Sequence, residues 1–411
     1  MTISAELVIV GGGHSGLLLA LALARHGLHP TILDTDQVNQ VLAARFDGRA
    51  LALMRGSKQV FSALDLWPHF APLVTPIDGV HVTDVGTGGS IAYDAKEVGG
   101  DAFGYGVETR LLRSKLLELV LDNPAISYSA ASRLEMLERH ADGLRLTLED
   151  GQVLETPLVI GADGRKSTVR RLAGIGVDRI DYHQTALTFA FRHAEPHGHR
   201  VREFMSGAGP LALLPIGENV CSATWIERPD VARALTAVPT DALLEALRER
   251  QDDALQPLDI LGKPAAFPLS AETAKTYGAA RVALVGDAAH GLHPIHAQGW
   301  NLGVRDIAAL AEVLVGAAAS GQDLGSGETL RRYARWREGD ARMILGLTDG
   351  LNRLFSTDFI PAKLLRRTSL AVLDNLPPMK HWLMRRGMGV EGIGGDLPKL
   401  ARGLPLESES K

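Results

Sequence analysis

Three short segments of this 411-residue chain combine glycines with an acid in patterns from which a cofactor site can be built. First, Gly11, Gly13 and Gly16 follow the spacing Gly-x-Gly-x-x-Gly. Absent side chains let the backbone turn tightly there, come close to a pyrophosphate and pack a helix on a strand. The helix start then offers free N–H groups and a partial positive charge to phosphates, and Asp34, at the end of the next strand, stands where a ribose needs an acceptor. Together these predict an adenine dinucleotide site.

Second, Gly286-Asp287 ends a short apolar run and precedes His293-Pro294-Ile295-His296-Ala297-Gln298-Gly299-Trp300-Asn301. Alone, Asp287 reads equally as a solvated carboxylate at a strand end. The loop after it runs straight into a helix, so its amides and the helix start can face a flat anionic ring. Third, Gly161-Ala162-Asp163-Gly164 leads into Arg165, Lys166, Arg170 and Arg171, which alone reads as a turn with a solvated basic face.

The elements that must carry these segments follow from hydrophobic pattern. Residues 5–10, 11–16, 17–24 and 30–34 read as strand, turn, helix and strand, and the runs before Gly161 and Gly286 are also short buried strands. Alternating stretches at 76–98 and 181–270 predict a separate antiparallel sheet layer inserted into the first domain. The remainder of the body, 1–75, 99–180 and 271–330, forms a discontinuous Rossmann-like cofactor domain, and 331–411 a helical C-terminal region. The fold class is thus α/β. A second Gly-x-Gly-x-x-Gly at Gly387, Gly389 and Gly392 follows no strand and precedes no helix, so it carries no dinucleotide.

Composition sets outer bounds. Forty-three basic and 48 acidic residues leave a net charge of -5, which argues against a general nucleic-acid binder. The longest apolar run near the start, Leu17–Ala24, is too short to span a bilayer and follows no basic leader. The single Cys221 excludes a disulfide framework, fits a cytoplasmic setting and reads as a core residue. His290, His293 and His296 are spaced for ligands, but Pro294 breaks any helix that would align them and no Cys or Glu completes the set, so no metal is expected. Residues 331–405 hold 14 Lys/Arg against 7 Asp/Glu. There Phe355, Phe359, Ile360, Leu364, Leu365 and Leu370 beside Lys363, Arg366 and Arg367 fit either an anionic membrane surface or a helix packed on the body with its cations outward.

Taken together, the three segments, Phe46-Asp47-Gly48-Arg49, the Gly209–Pro215 stretch and His293-Pro294 with Gln298-Gly299-x-Asn301-x-Gly303-x-x-Asp306 resemble the group A FAD-dependent aromatic monooxygenases, ubiquinone-biosynthesis hydroxylase branch. The resemblance implies a p-hydroxybenzoate-hydroxylase-like fold with FAD in the first site and NAD(P)H as cosubstrate. It implies Gly11, Gly13 and Gly16 at the pyrophosphate, Asp34 at the ribose, and Arg49 and Arg110 at the phosphates or ribityl chain. Gly286 and Asp287 would hold the ribityl hydroxyls, Asp163 would serve FAD and the nicotinamide donor, and Gln298, Gly299 and Asn301 would face the flavin. His293, Pro294 and His296 are candidates to line the ring pocket, with no catalytic side chain singled out. The implied reaction is hydroxylation of a polyprenylated phenol or quinol by oxygen through a flavin C4a-hydroperoxide, with a membrane surface or other ubiquinone-biosynthesis proteins as partners and a location in the cytoplasm or on the inner face of the membrane. A hydroxylase of a small soluble aromatic and a non-catalytic FAD-holding subunit are the rival readings. Where the family carries Ala-Gly before the Gln, this chain has His296-Ala297.

Overall fold

The structure, a computed structural model, describes residues 2–252, 254–294, 297–355, 374–392 and 396–406. His296 and the cluster from Phe359 to Leu370 lie outside the described residues.

Short apolar strands between glycine-containing turns form a six-stranded sheet. Its members are β1 (Leu7–Val10), β2 (Pro30–Leu33), β3 (Ser127–Ser129), β4 (Val159–Gly161), β5 (Gly278–Ala279) and β6 (Val282–Leu284), in the spatial order β5-β6-β4-β1-β2-β3. All pair in parallel except β5 with β6. β1, β4 and β6 are buried throughout, as expected of strands covered on both faces. The helices needed below are α1 (His14–Ala24), α2 (Arg55–Ala63), α3 (Thr109–Leu121), α4 (Gln298–Ala319), α5 (Gly327–Phe355) and α6 (Pro377–Gly387).

The second major layer is an eight-stranded mixed sheet built on two long strands, Val177–His193 and Pro257–Ala274, which pair antiparallel from Val177↔Ala274 to His193↔Pro257. Gly79–Asp84 joins it in parallel with Arg200–Met205. The two long strands run without a break across residues 180/181 and 270/271. Two features lie beyond the sequence expectation. A four-stranded sheet of Thr2–Ser4, Leu134–Arg139, Leu144–Leu148 and Val153–Thr156 flanks the first sheet. Helices at Pro229–Ala237 and Thr240–Arg250 interrupt the 181–270 strand region, where Leu243, Leu244 and Leu247 bury one helical face.

Candidate active site

Because β6, β4, β1 and β2 are adjacent and parallel, their carboxyl ends lie on one edge, and that edge receives Asp287, Asp163, the Gly11–Gly16 loop and Asp34 side by side. This is where open α/β sheets bind ligands.

The glycine loop is shaped by close approach. Gly11 has φ +112, and a Cβ there would lie 2.5 Å from the Ala162 carbonyl oxygen; at Gly16 it would lie 1.9 Å from the Gly11 carbonyl oxygen. A Cβ at Gly13 would meet nothing within 4 Å, and no side chain caps the start of α1. The loop is therefore packed tight on the protein side and open where the first N–H groups of α1 point outward, which suits a pyrophosphate.

Asp34 is buried, and its Oδ2 accepts hydrogen bonds from Arg113 Nη2 at 2.8 Å and Tyr128 Oη at 2.7 Å. Among the described residues its Oδ1 receives only the Asp36 N–H, at 3.4 Å, which leaves acceptor capacity for a ribose hydroxyl. Burial and the Asp34 hydrogen bond push the Tyr128 phenol up, so it stays a donor. Arg113 also donates to the Gly12 carbonyl at 2.9 Å and to Asp36 at 2.7 Å, tying the glycine loop to both acids. The sequence reading settled on Arg110 and missed Arg113 one turn further along α3. Arg110 instead bonds Glu108 at 2.7 Å, and Arg49 pairs with Asp47 at 2.6 Å. The two arginines lie at neighbouring strand ends, since Ala50 pairs with Glu108. His14, also missed, sits in the first turn of α1 with Nε2 2.9 Å from the Thr109 carbonyl; burial lowers its pKa to about 4.

Asp163 Oδ2 caps the next helical turn by accepting the Thr168 and Val169 N–H groups at 2.7 and 3.1 Å. Its Oδ1 is buried with no hydrogen-bond partner among the described residues, an acceptor facing the same edge. Burial raises its pKa against the opposing Ser167 and backbone donors.

Asp287 is half-exposed and, among the described residues, its side chain meets only Arg165, at 3.6 Å. The backbone beneath it is held far more firmly. Gly286 (φ +58) donates its N–H to Asp306 Oδ2 at 3.1 Å, and a Cβ on Gly286 would press on Ser15 Oγ at 2.7 Å. Asp306 is fully buried, with His290 Nε2 at 2.5 Å and Arg337 Nε at 2.8 Å, and Arg337 continues to Asp340 at 2.7 Å. Burial pushes the Asp306 carboxyl up, but His290 and Arg337 outweigh it and hold the group below its ordinary value. Arg165 donates to the Ser270 and Leu292 carbonyls at 2.8 and 2.7 Å, lashing the loop before Pro294 to the long strand.

At the α4 start, Asn301 is buried and wholly used: Oδ1 accepts from Met54 N–H and Ser57 Oγ, and Nδ2 donates to the Ala52 and Ala297 carbonyls, all at 2.7–2.8 Å. It seats α4 against the Ala50–Met54 strand and α2. Gln298 Nε2 donates to the Gly387 carbonyl at 3.1 Å, and Gly299 is free of close contact. Ala297, where the family carries Gly, adopts φ +51. His293 is buried against the Tyr182 ring at 4.8 Å, with Nε2 3.3 Å from Gln184 Oε1, while His290 faces Asp306 and Tyr277. Among the described residues no His, Cys, Asp and Glu side chains gather as metal ligands.

The open helix start, the unpartnered Asp163 Oδ1, the lightly bonded Asp34 Oδ1 and the glycine cradle fit a dinucleotide of FAD type. Residues 4–344 match the FAD binding domain family, and the chain belongs to it: this is an FAD-dependent monooxygenase working with NAD(P)H. It is 39% identical to the ubiquinone hydroxylase UbiL of Rhodospirillum rubrum over 98% of this chain and 94% of that protein, and 31% identical to the 3-demethoxyubiquinol 3-hydroxylase of Escherichia coli over 94% and 98%. Among solved structures, p-nitrophenol 4-monooxygenase PnpA from Pseudomonas putida superposes with a TM-score of 0.79 at 18% identity over 95% of this chain and 99% of that one, which shows the shared fold.

Proposed function

We propose that the protein hydroxylates the aromatic ring of a polyprenylated phenol or quinol on the route to ubiquinone, using NAD(P)H and oxygen. The end-to-end similarity to a ubiquinone hydroxylase carries this reading. FAD, when bound, would supply the hydride-accepting and oxygen-transferring redox chemistry that side chains lack. In this reading the chain's own residues bind and orient. The N–H groups after Gly13 receive the pyrophosphate, Gly11 and Gly16 shape the cradle, and Asp34 Oδ1 takes the ribose. Asp287 receives the ribityl hydroxyls from a turn that Asp306 holds still. Arg49 and Arg110 neutralise phosphate charge after exchanging their present carboxylate partners, and Asp163 offers Oδ1 to the cofactor. The amides at Gln298 and Gly299 and the dipole of α4 favour negative charge on the flavin ring. Asn301 positions that helix rather than touching the cofactor through its side chain. His293 and Pro294 border the ring's site, with His296 in the same loop.

Purified protein should be yellow, oxidise NAD(P)H faster when a prenylated phenol is added, and yield a product one oxygen heavier by mass spectrometry. A colourless preparation that refuses FAD, or oxidation unmoved by any such phenol, removes the reading. A strain lacking the gene should accumulate an under-hydroxylated polyprenyl ring.

A further inference from the structure

His293, just ahead of α4, is a point where the cofactor edge meets the eight-stranded sheet. Its surroundings in the chain are fixed from elsewhere: Arg165 donates to the Leu292 carbonyl at 2.7 Å, and Gln298 reaches the Gly387 carbonyl at the end of α6. The His293 ring itself is 1% exposed and lies edge-to-face with Tyr182, its Nε2 3.3 Å from Gln184 Oε1. Both of these partners belong to the long strand Val177–His193.

The direction of the His293–Gln184 hydrogen bond follows from what Gln184 does at its other atom. The Gln184 amide lies 3.1 Å from the Ala208 carbonyl oxygen, which can only accept. The amide nitrogen must therefore face Ala208 and the amide oxygen His293, so His293 Nε2 carries a hydrogen. Ala208 is held in turn. It sits in a turn closed by the Gly209 N–H to the Ser206 carbonyl at 3.1 Å and by Ser206 Oγ to the Gly209 carbonyl at 2.8 Å. Gly209 has φ +146, and a Cβ there would lie 2.7 Å from the Ile226 carbonyl oxygen, so the turn is pressed onto the neighbouring strand. From the outside Arg250, at the end of the helix Thr240–Arg250, closes the same turn: its Nη2 donates to Ser206 Oγ at 2.7 Å, the Gly209 carbonyl at 2.8 Å and the Phe204 carbonyl at 3.2 Å. Burial lowers the Arg250 pKa against the pull of Glu227. A cation drawn out of water to close a turn is costly, which points to the turn's position as what it secures.

We propose that Gln184 is a positioning residue of the monooxygenase reaction: braced by Arg250 through the Ser206–Gly209 turn, it fixes His293 with a hydrogen on Nε2 and so sets the chain at Pro294 on the flavin's side. This rests on the place given above to His293 and Pro294 beside the ring, whereas the hydrogen on Nε2 rests on the bonding around Gln184 alone.

The test labels the histidine rings of the full-length protein with nitrogen-15 and reads their protonation by NMR, the His293 signals being assigned by their loss in His293→Gln. Wild type should show hydrogen on Nε2 with and without FAD. Gln184→Leu removes the acceptor and should abolish that fixed pattern, while Gln184→Glu puts a carboxylate in its place and should leave both ring nitrogens protonated near neutral pH. A Gln184 that only fills space would leave the three patterns alike. With the FAD-loaded protein, NAD(P)H and a short-chain prenylated phenol, Gln184→Leu should keep its flavin and a KM within about twofold of wild type. Product formed per NAD(P)H consumed should fall about fivefold, the remaining oxygen being reduced to hydrogen peroxide. Gln184→Met replaces it should Gln184→Leu fold poorly. Arg250→Met should show the same loss in weaker form, and Arg250→Lys, which keeps a donor toward the turn, should restore most of it. A wild-type His293 without hydrogen on Nε2, an unchanged ring pattern in Gln184→Leu, or full coupling in that variant overturns the proposal. Should no phenol raise NAD(P)H oxidation by wild type, the functional reading falls, while the histidine signals still decide whether Gln184 fixes His293.

Discussion

Asp34 and Asp287 hold matching places, each the first carboxylate beyond the carboxyl end of a parallel strand, yet the protein fixes them by opposite means. Asp34 is gripped through its side chain, with Arg113 and Tyr128 on one oxygen. Asp287 is nearly free as a side chain, and the turn beneath it is gripped by a buried charge network. In the first corner one oxygen is spent on holding the residue and the other remains for a ligand. In the second, both oxygens remain, and rigidity comes from Asp306 through the Gly286 amide. Precise placement of a carboxylate therefore does not require that the carboxylate itself be bonded.

The strongest test removes the hidden support. Asp306→Ala leaves Arg337 buried with half its counter-charge gone and the Gly286 N–H unpaired, so denaturant unfolding should show a loss of about 3–5 kcal/mol. Asp306→Asn, which keeps the shape and an acceptor oxygen, should fold well enough to show weakened FAD binding. Full flavin occupancy in that variant would break the link from Asp306 to Asp287. Next, Asp34→Ala should cost about 1–3 kcal/mol in the apoprotein, because Tyr128 and the partly buried Arg113 lose their shared acceptor, and flavin should be lost as well. Asp287→Ala should divide these outcomes. Its side chain is 49% exposed with one long contact, so apoprotein stability should stay within about 0.5 kcal/mol, while FAD binding weakens by about 1–3 kcal/mol through lost hydroxyl contacts. A destabilised but fully flavinated Asp287→Ala would reverse the comparison.

What could be read in the sequence divides along the same line. Gly11, Gly16 and Gly286 were legible because close approach or positive φ restricts the residue type wherever the chain turns at a strand end, and the acids after β2, β4 and β6 share that context. Arg113, Tyr128 and Arg337 were not. Each is an ordinary residue of its own element and becomes functional only when the fold brings together positions 79, 94 and 31 residues apart from its partner acid. A faint signal for Arg113 existed, one helical turn beyond Arg110 in the same segment. Asp306 was visible as a motif position, but its task was hidden, since nothing local says that it faces a backbone amide twenty residues earlier. The sheet at residues 134–156 was overlooked although Leu144, Leu146 and Leu148 alternate, because their short strands lie inside a region otherwise read as cofactor domain.

The smallest expected effect concerns His14, on the side-chain-gripped corner. Its pKa is lowered from 6.5 to about 4 by burial, with Arg113 and Arg49 adding to the depression against the Thr109 carbonyl, which favours the charged form. In the unfolded apoprotein the ring takes up a proton below about pH 6.5, but in the folded one only near pH 4. Between these values the unfolded chain binds the extra proton, so stability falls as pH is lowered through that window and is unaffected by this group above it. Because the ring is partly open to solvent, the span should be about 1 kcal/mol. His14→Gln retains a donor toward Thr109 and removes the titration, so its stability should fall less steeply than wild type between pH 6.5 and 4, with the two curves parallel at neutral pH. Parallel curves across the whole range would show that the ring titrates freely and that the corner at Asp34 is looser than its hydrogen bonds indicate.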